Sequence, residues 1–222
     1  KLVEKGKSKF AGPEILGKKL GVIGLGAIGV MVANAARNLG MEVYGYDPYI
    51  SVKAAWGLSR GVKKADTLKE IYESCDYITI HIPYMPATKD YINAEAIAQM
   101  KDGVRILNLS RGELVSVADI KAALESGKVA CYVCDFPSVD SLELPNTICM
   151  PHLGASTPES EDNCAVMAAK EIYDYIESGI IRNSVNLPEF DEAKNCAVRV
   201  CVIHENIPSM LSTLSTAMAD AH

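Results

Sequence analysis

The chain has 222 residues and a formal net charge of −6, with 49% hydrophobic and 23% charged residues. This mixture is typical of a globular protein and excludes collagen-like and disordered chains. Because no block of five basic residues is present, we expect no nucleic-acid partner. The uncharged run at residues 20–36 holds four glycines and is a poor membrane span. Seven singly spread cysteines favour a reducing, cytoplasmic setting over a disulfide framework.

Short β-rich runs alternate with longer helical runs along most of the chain. Strands are predicted at residues 19–23, 42–46, 77–82, 104–109, 129–134 and 147–150, and helices at 27–39, 67–74, 94–100 and 117–126. Strands separated by helices form βαβ units, whose right-handed crossovers place the strands side by side in a parallel sheet. We therefore predict an α/β fold with a doubly wound parallel sheet of the Rossmann type.

A longer helix is predicted after the last of these strands. Ser156 and Glu159 have the spacing of a capping box, and Pro158 suits a first helical turn. Gly179 is placed to end the helix. A helix of about 22 residues spans ~33 Å, which is long enough to leave one domain and reach another.

The six residues from Gly24 to Gly29 read G-x-G-x-x-G, between the first predicted strand and the first predicted helix. In a dinucleotide-binding turn the first glycine permits the turn, the second (Gly26) lets pyrophosphate approach, and the third lets helix and strand pack closely. Asp47 ends the next strand, where an acid accepts hydrogen bonds from the adenosine ribose. Because this carboxylate would repel a 2′-phosphate and no arginine follows it, the sequence favours NAD over NADP.

Arg111, Asp135 and His152 each follow a predicted strand. Since ligands bind beyond the carboxyl ends of strands in an open parallel sheet, we expect these three side chains to converge near the nicotinamide. An arginine can hold the carboxylate of a 2-keto acid through paired hydrogen bonds. A histidine can donate a proton to the carbonyl oxygen as hydride arrives, and a neighbouring carboxylate favours the charged imidazolium.

Together these motifs resemble the NAD-binding domain of the D-isomer-specific 2-hydroxyacid dehydrogenases. The segments GVIGLGAIG, GYDPY, LNLSRGELV and PHLGAST are most similar to the phosphoglycerate dehydrogenase branch of that family. The resemblance implies oxidation of 3-phosphoglycerate to 3-phosphohydroxypyruvate in L-serine biosynthesis, with Arg111 orienting the substrate and His152 as the acid/base group. Glyoxylate/hydroxypyruvate reductase and D-lactate dehydrogenase are alternatives within the family. A non-catalytic, NAD-sensing module like the co-repressors that share this fold is the alternative from another class.

The resemblance also leaves the partner of His152 to be assigned. The family pairs its histidine with a glutamate, and no glutamate stands at that place here. Asp140 is predicted to take the role because it lies 29 residues after Arg111, the ungapped family spacing, with Glu143 as the alternative. Asp135 is expected to face the nicotinamide carboxamide instead.

The predicted cofactor contacts combine the glycine turn, the ribose acid and the strand ends. They are Gly24, Gly26, Ala27, Ile28, Gly29, Asp47, His81, Pro83, Leu109, Ser110, Arg111, Asp135, His152, Gly154 and Ala155. His81 is explained as well by packing as by cofactor contact. No metal site is expected, because Cys131 and Cys134 have zinc-like spacing without a second ligand pair.

We divide the chain into five segments. Residues 1–11 are predicted to be an interdomain tail, 12–153 the NAD-binding domain, 154–186 a crossover helix returning to a substrate domain, 187–197 a linker, and 198–222 a truncated ACT domain.

The segment VIHENIP at residues 202–208 resembles the opening of an ACT regulatory domain. This resemblance implies that His204 and Asn206 bind L-serine as an effector. Because the substrate domain is expected to precede Lys1, we interpret the chain as a fragment that is inactive alone. The expected partners are a small 2-hydroxy or 2-keto acid and further copies of the protein, as a dimer or tetramer.

Overall fold

The computed structural model describes residues 2–192, 200–205 and 207–221. Residues 193–199, which include part of the predicted linker, lie outside this description, as does the predicted effector residue Asn206. The chain divides into two compact units, Lys1–Leu153 and Gly154–His222.

The first unit is built on a seven-stranded sheet. Its strands are β1 (Lys19–Ile23), β2 (Glu42–Tyr46), β3 (Lys63–Lys64), β4 (Tyr77–Ile80), β5 (Val104–Asn108), β6 (Val129–Cys134) and β7 (Thr147–Cys149). Every pairing of these strands is parallel, in the order β3-β2-β1-β4-β5-β6-β7. The order reverses between β1 and β4, which makes the carboxyl ends of these strands the topological switch point. The predicted doubly wound parallel sheet is confirmed.

The helices of this unit connect the strands. They are α1 (Leu2–Gly6), α2 (Ala27–Asn38), α3 (Val52–Gly57), α4 (Leu68–Ser74), α5 (Ala94–Gln99), α6 (Val117–Glu125) and α7 (Val139–Leu142). Short 3₁₀ helices lie at Lys7–Phe10, Pro86–Thr88 and Gly112–Leu114. The sequence did not predict β3 or α3, because a two-residue strand carries no alternation and α3 has no buried residue to give a helical period.

Side-chain caps begin most of these helices, with one exception that matters for the site. Ser51, Thr67, Asn93 and Ser116 each accept a hydrogen bond from a backbone N–H in the first turn of α3, α4, α5 and α6. The N-cap of α2 is Gly26, which has no side chain to cap the helix. The N-terminus of α2 is therefore left to an external partner.

The sheet is buried on both faces, as a parallel sheet requires. In β4 the consecutive residues Ile78, Thr79 and Ile80 are all buried. The larger apolar cluster extends from β4 to β6, and a smaller one that includes Val22 and Val43 lies at β1 and β2. This packing fixes the strand ends on which the site is built.

The second unit contains α8 (Pro158–Ser178) and α9 (Met210–Asp220). The N-cap of α8 is Thr157, whose side chain accepts a hydrogen bond from the Ser160 N–H at 3.1 Å. The predicted capping box at Ser156 was therefore wrong by one residue, whereas Gly179 ends the helix in the left-handed conformation as predicted. Residues 200–203, near the start of the predicted ACT domain, form no strand. Within the described ranges, no helix combines the length and hydropathy needed to cross a membrane.

Candidate active site

Close backbone contacts that only glycine permits shape the turn between β1 and α2. Gly24 has a φ of +90°, and a Cβ there would lie 2.5 Å from the His81 carbonyl oxygen. A Cβ on Gly29 would collide with the carbonyl oxygen of Gly24. A Cβ on Gly26, by contrast, would meet nothing within 4 Å. The first and third glycines are thus required by the fold, and the second faces open space.

Asp47 connects the glycine turn to the end of β2. Its Oδ2 accepts a hydrogen bond from the Leu25 N–H and its Oδ1 accepts one from the Tyr49 N–H, both at 2.8 Å. Each carboxylate oxygen has a further lone pair available for a hydroxyl donor. These two bonds give Asp47 a structural role that the sequence did not reveal, and its contact with the ribose stays a prediction.

Buried Asn108 organises the turn that follows β5. Its Nδ2 donates to the Arg111 carbonyl oxygen at 2.8 Å, and its Oδ1 accepts a hydrogen bond from the Ser110 N–H at 3.3 Å. The Ser110 hydroxyl donates to the Ile80 carbonyl oxygen at 2.6 Å, which joins this turn to the end of β4. Sequence reasoning passed over Asn108, although a polar residue inside an apolar strand was the available signal.

His152 lies beyond the end of β7 and meets the carboxylate of Asp135, which directly follows β6. The His152 Nδ1 is 2.8 Å from the Asp135 Oδ2. The Asp135 side chain is 12% exposed and that of His152 is 41% exposed, so a sheltered carboxylate holds an accessible imidazole. With Nδ1 engaged by the carboxylate, the Nε2 is the atom that can exchange a proton with a ligand.

The prediction that Asp140 pairs with His152 was wrong. Asp140 lies in α7 and borders a separate groove with Lys121 and Glu143. Across the part of the chain that the structure describes, the carboxylate paired with His152 is Asp135. The cause is strand register, because the neighbouring strands β6 and β7 pair Cys134 with Cys149 and so bring the residues that follow them together.

Arg111 and His152 both contact the ring of Phe136. The Arg111 Cζ is 5.2 Å from the ring centroid, and the imidazole centroid is 4.2 Å from it with 30° between the ring planes. The Arg111 Nη1 also donates to the Ser110 carbonyl oxygen at 2.7 Å. The structure therefore brings Arg111, Asp135 and His152 together, and it adds Phe136, which sequence reasoning missed.

A cleft of about 670 Å³ opens beside this cluster. Asp135, Phe136 and His152 border it together with Tyr132 and Val115. Its size falls within the range of small-molecule sites, and its wall combines apolar surface with a few polar groups. The cleft therefore has the size and lining of a small-molecule site next to His152.

His81 and Pro83 lie on the segment that follows β4. The His81 Nε2 is 3.0 Å from the Thr79 hydroxyl, whereas its Nδ1 is buried without a hydrogen-bond partner. Burial lowers the pKa of His81, which keeps the ring neutral. The carbonyl oxygen of Pro83 accepts a hydrogen bond from the Thr88 hydroxyl at 2.9 Å.

Four other predicted site residues belong to the second unit. Gly154 and Ala155 open that unit, with Ala155 in the left-handed region at a φ of +63°. The His204 Nδ1 lies 2.8 Å from the carbonyl oxygen of Glu205. Asn206 lies outside the described residues, so the predicted effector pair stays a prediction.

The two cysteines with zinc-like spacing both lie in β6. The Cys134 Sγ is 3.7 Å from the Cys149 Sγ on β7, and burial raises the pKa of Cys134 to about 12. In the described segments, no group of three or more His, Cys, Asp or Glu side chains is placed to hold a metal ion. These thiols pack within the sheet.

The residues present fit a dinucleotide cofactor. The uncapped N-terminus of α2 and the open space at Gly26 suit a pyrophosphate, since free N–H groups and the helix dipole favour an anion there. The Asp135 Oδ1 is buried and has no hydrogen-bond partner, so a donor such as a carboxamide would satisfy it. Ile28 and Leu109, two apolar residues among the predicted contacts, are exposed.

Comparison with curated proteins identifies relatives that are named as the same enzyme. The chain is 34% identical to D-3-phosphoglycerate dehydrogenase of Haemophilus influenzae over 97% of this chain and 54% of that protein. It is 38% identical to the enzyme of that name from Methanocaldococcus jannaschii over 85% of this chain and 37% of that protein. The chain thus spans between about a third and about half of the length of these relatives.

Solved structures and a family model agree with these relatives. A glyoxylate reductase from Paecilomyes thermophila matches 79% of this chain and 54% of its own with a TM-score of 0.70 and 28% identity. The fold is shared by an NAD-complexed D-isomer-specific 2-hydroxyacid dehydrogenase from Lactobacillus delbrueckii. That structure is 23% identical and matches 81% of this chain and 59% of its own with a TM-score of 0.70. The family model for the D-isomer-specific 2-hydroxyacid dehydrogenase NAD-binding domain matches residues 2–154. The chain therefore belongs to the D-isomer-specific 2-hydroxyacid dehydrogenases and carries their NAD-binding domain, which makes NAD its cofactor.

Proposed function

We propose that the protein containing this chain is an NAD-dependent dehydrogenase that oxidises a D-2-hydroxy acid, with 3-phosphoglycerate as its substrate. The observation that carries the reaction type is the cluster of Asp135, His152, Phe136 and Arg111 beside the cleft. The choice of substrate rests on the two curated relatives reported above, because both are named D-3-phosphoglycerate dehydrogenase.

The cluster assigns a task to each side chain. Arg111 holds the substrate carboxylate through paired hydrogen bonds. His152 accepts the proton of the substrate hydroxyl at Nε2 as the C2 hydrogen departs as hydride, and it returns a proton to the keto oxygen in the reverse direction. Asp135 holds the imidazole at Nδ1 and stabilises the resulting imidazolium, which leaves Nε2 for proton transfer. When bound, NAD supplies the hydride acceptor, held by the glycine turn, Asp47 and the free Oδ1 of Asp135.

A second substrate is favoured by one comparison. The structural neighbour named as a glyoxylate reductase supports glyoxylate as the keto acid, whose carboxylate Arg111 would hold in the same way. The alternative of a non-catalytic NAD sensor finds no support, because the reported curated relatives are named as dehydrogenases.

Further proposals concern the organisation of the protein. We propose the division into the NAD-binding domain at 12–153, the crossover segment at 154–186, the linker at 187–197 and the ACT-like segment at 198–222. We also propose that L-serine binds at His204 as an effector, that the protein assembles as a homo-oligomer and that it is located in the cytoplasm. Inhibition by L-serine tests the effector proposal, and the mass of the protein in solution tests the assembly.

Titration calorimetry with this chain tests the cofactor assignment. We expect NADH to bind at least about tenfold more tightly than NADPH, because the Asp47 carboxylate repels a 2′-phosphate. Asp47→Ala should narrow that gap, and Asp66→Ala, which changes an exposed surface carboxylate, should leave it unchanged. Equal affinities in the unaltered chain would contradict the ribose assignment.

Steady-state kinetics of the protein containing this chain tests the reaction. We expect 3-phosphoglycerate to give the highest kcat/KM in a panel that includes D-lactate and glycolate. His152→Ala should act mainly on kcat, whereas Arg111→Ala should also raise KM, because it removes the carboxylate anchor. Near-normal constants in either variant would refute the role of that residue.

A further inference from the structure

We propose that Phe136 is a positioning residue whose ring sets the separation of Arg111 and His152, an inference that rests on the proposed function. No motif singles out this residue, and it is assigned from three contacts in the structure. The guanidinium carbon lies 5.2 Å from the ring centroid, and the imidazole centroid lies 4.2 Å from it with the two ring planes tilted by 30°. The third contact is between backbones.

The backbone of Phe136 is held against the Arg111 turn. A Cβ at Gly112 would lie 3.0 Å from the Phe136 carbonyl oxygen, so the residue after Arg111 packs directly on the Phe136 main chain. The Arg111 carbonyl oxygen is itself fixed by buried Asn108. This packing therefore fixes the position of the Phe136 ring relative to the Arg111 turn.

The chemistry of the reaction explains why that separation matters. In a 2-hydroxy acid the carboxylate and the reacting C2–OH lie on adjacent carbons, so the groups that bind them must stand at one fixed distance. Arg111 bonds the Ser110 carbonyl oxygen and His152 pairs with Asp135, but neither contact links one of these side chains to the other. A ring that contacts both restricts their separation before the substrate arrives.

An aromatic ring suits this place better than an aliphatic side chain. Its π face attracts the guanidinium of Arg111, and it also attracts the imidazolium that forms when His152 takes up the hydroxyl proton. Asp135 contacts the edge of the imidazole ring at Nδ1, so the face of that ring stays available to Phe136. Leucine would keep apolar volume but would lose both attractions.

Kinetics of Phe136→Leu and Phe136→Tyr in the intact protein tests the inference. We expect Phe136→Leu to lower kcat/KM by ~10-fold to ~100-fold, with losses in both kcat and 1/KM because both partners lose their position. Phe136→Tyr keeps the ring and should stay within about threefold of the unaltered protein. Trp56→Leu, which removes an exposed aromatic ring elsewhere in the same unit, is the matched control. Unchanged constants in Phe136→Leu, or equal losses in the leucine and tyrosine variants, would overturn the proposal.

A measurement without turnover separates this inference from the proposed function. In the NMR spectrum of the unaltered chain, we expect the His152 ring protons to show an upfield ring-current shift, because the imidazole stacks on Phe136. That shift should disappear in Phe136→Leu and persist in Phe136→Tyr. Its absence from the unaltered chain would overturn the placement of Phe136. Absence of turnover with every substrate in the panel would instead overturn the proposed function, and with it the catalytic role of this ring.

Discussion

The two ends of the cofactor site are built in different ways. At the β1–α2 turn the shape comes from backbone contacts, in which Gly24 and Gly29 leave no room for a side chain and Gly26 leaves room for a ligand. At the ends of β5, β6 and β7 the shape comes from side chains, which contact one another through Asn108, Phe136 and the Asp135–His152 pair. A local sequence motif defines the first end, whereas strand register defines the second.

The two constructions respond differently to substitution. In a turn shaped by backbone contacts, a side chain added at a required glycine clashes with the backbone, so the substitution destabilises the fold. A side-chain cluster tolerates a lost atom at a moderate energetic cost, but its chemistry depends on the identity and spacing of a few groups. The predictions below test this distinction.

The largest effect is expected at the glycine turn. Gly29→Ala should lower the free energy of unfolding by about 3 kcal/mol, because its methyl group collides with the Gly24 carbonyl oxygen. Gly26→Ala is the matched control, which should change stability by less than about 1 kcal/mol because its methyl group meets no protein atom. The same control should weaken NADH binding at least about tenfold. Denaturant melts and calorimetry measure the two effects, and equal stability losses in both variants would contradict this description of the turn.

A smaller loss is expected at the side-chain end. Asn108→Ala should lower the free energy of unfolding by about 1–3 kcal/mol, because the Arg111 carbonyl oxygen and the Ser110 N–H lose a buried partner. Asn34 makes the same two kinds of bond, to Gly57 and Ser59, at a more exposed place. Asn34→Ala should therefore cost less, since water replaces its hydrogen bonds. Urea melts of both variants decide the comparison, and a larger loss for Asn34→Ala would contradict it.

His81 lies between the two ends and gives the fold a pH dependence. Burial lowers its pKa below the ordinary value of 6.5 in the folded state, so the unfolded chain binds the proton more readily. Stability should therefore fall as pH drops below about 6.5, by up to ~1.4 kcal/mol per pH unit. His81→Gln should show a shallower fall between pH 7 and pH 5 than the unaltered chain in thermal melts. Identical slopes would remove His81 as the cause.

Much of the fold and part of the site could be predicted from the sequence. The strands and the G-x-G-x-x-G turn are local patterns, and they place Asp47 and the glycines correctly with respect to one another. The partner of His152 could not be found in this way, because counting along the chain to Asp140 ignores the β6–β7 register that brings Asp135 to the histidine. Phe136 was missed for the same reason, since it contacts Arg111 and His152 from the ends of other strands. Asn108 is different, because its bonds to Ser110 and Arg111 are local and a polar residue in an apolar strand indicated it.

The pairing of His152 with Asp135 is the central claim about the catalytic end. The most direct test is the rate of keto-acid reduction by the intact protein carrying Asp135→Asn, with Asp140→Asn and Glu143→Gln as controls. We predict that Asp135→Asn lowers kcat at least about tenfold, because the imidazole loses the carboxylate that holds its Nδ1. The two control variants should keep the kcat of the unaltered protein. A lowered kcat for Asp140→Asn or Glu143→Gln, with an unchanged kcat for Asp135→Asn, would contradict the assignment.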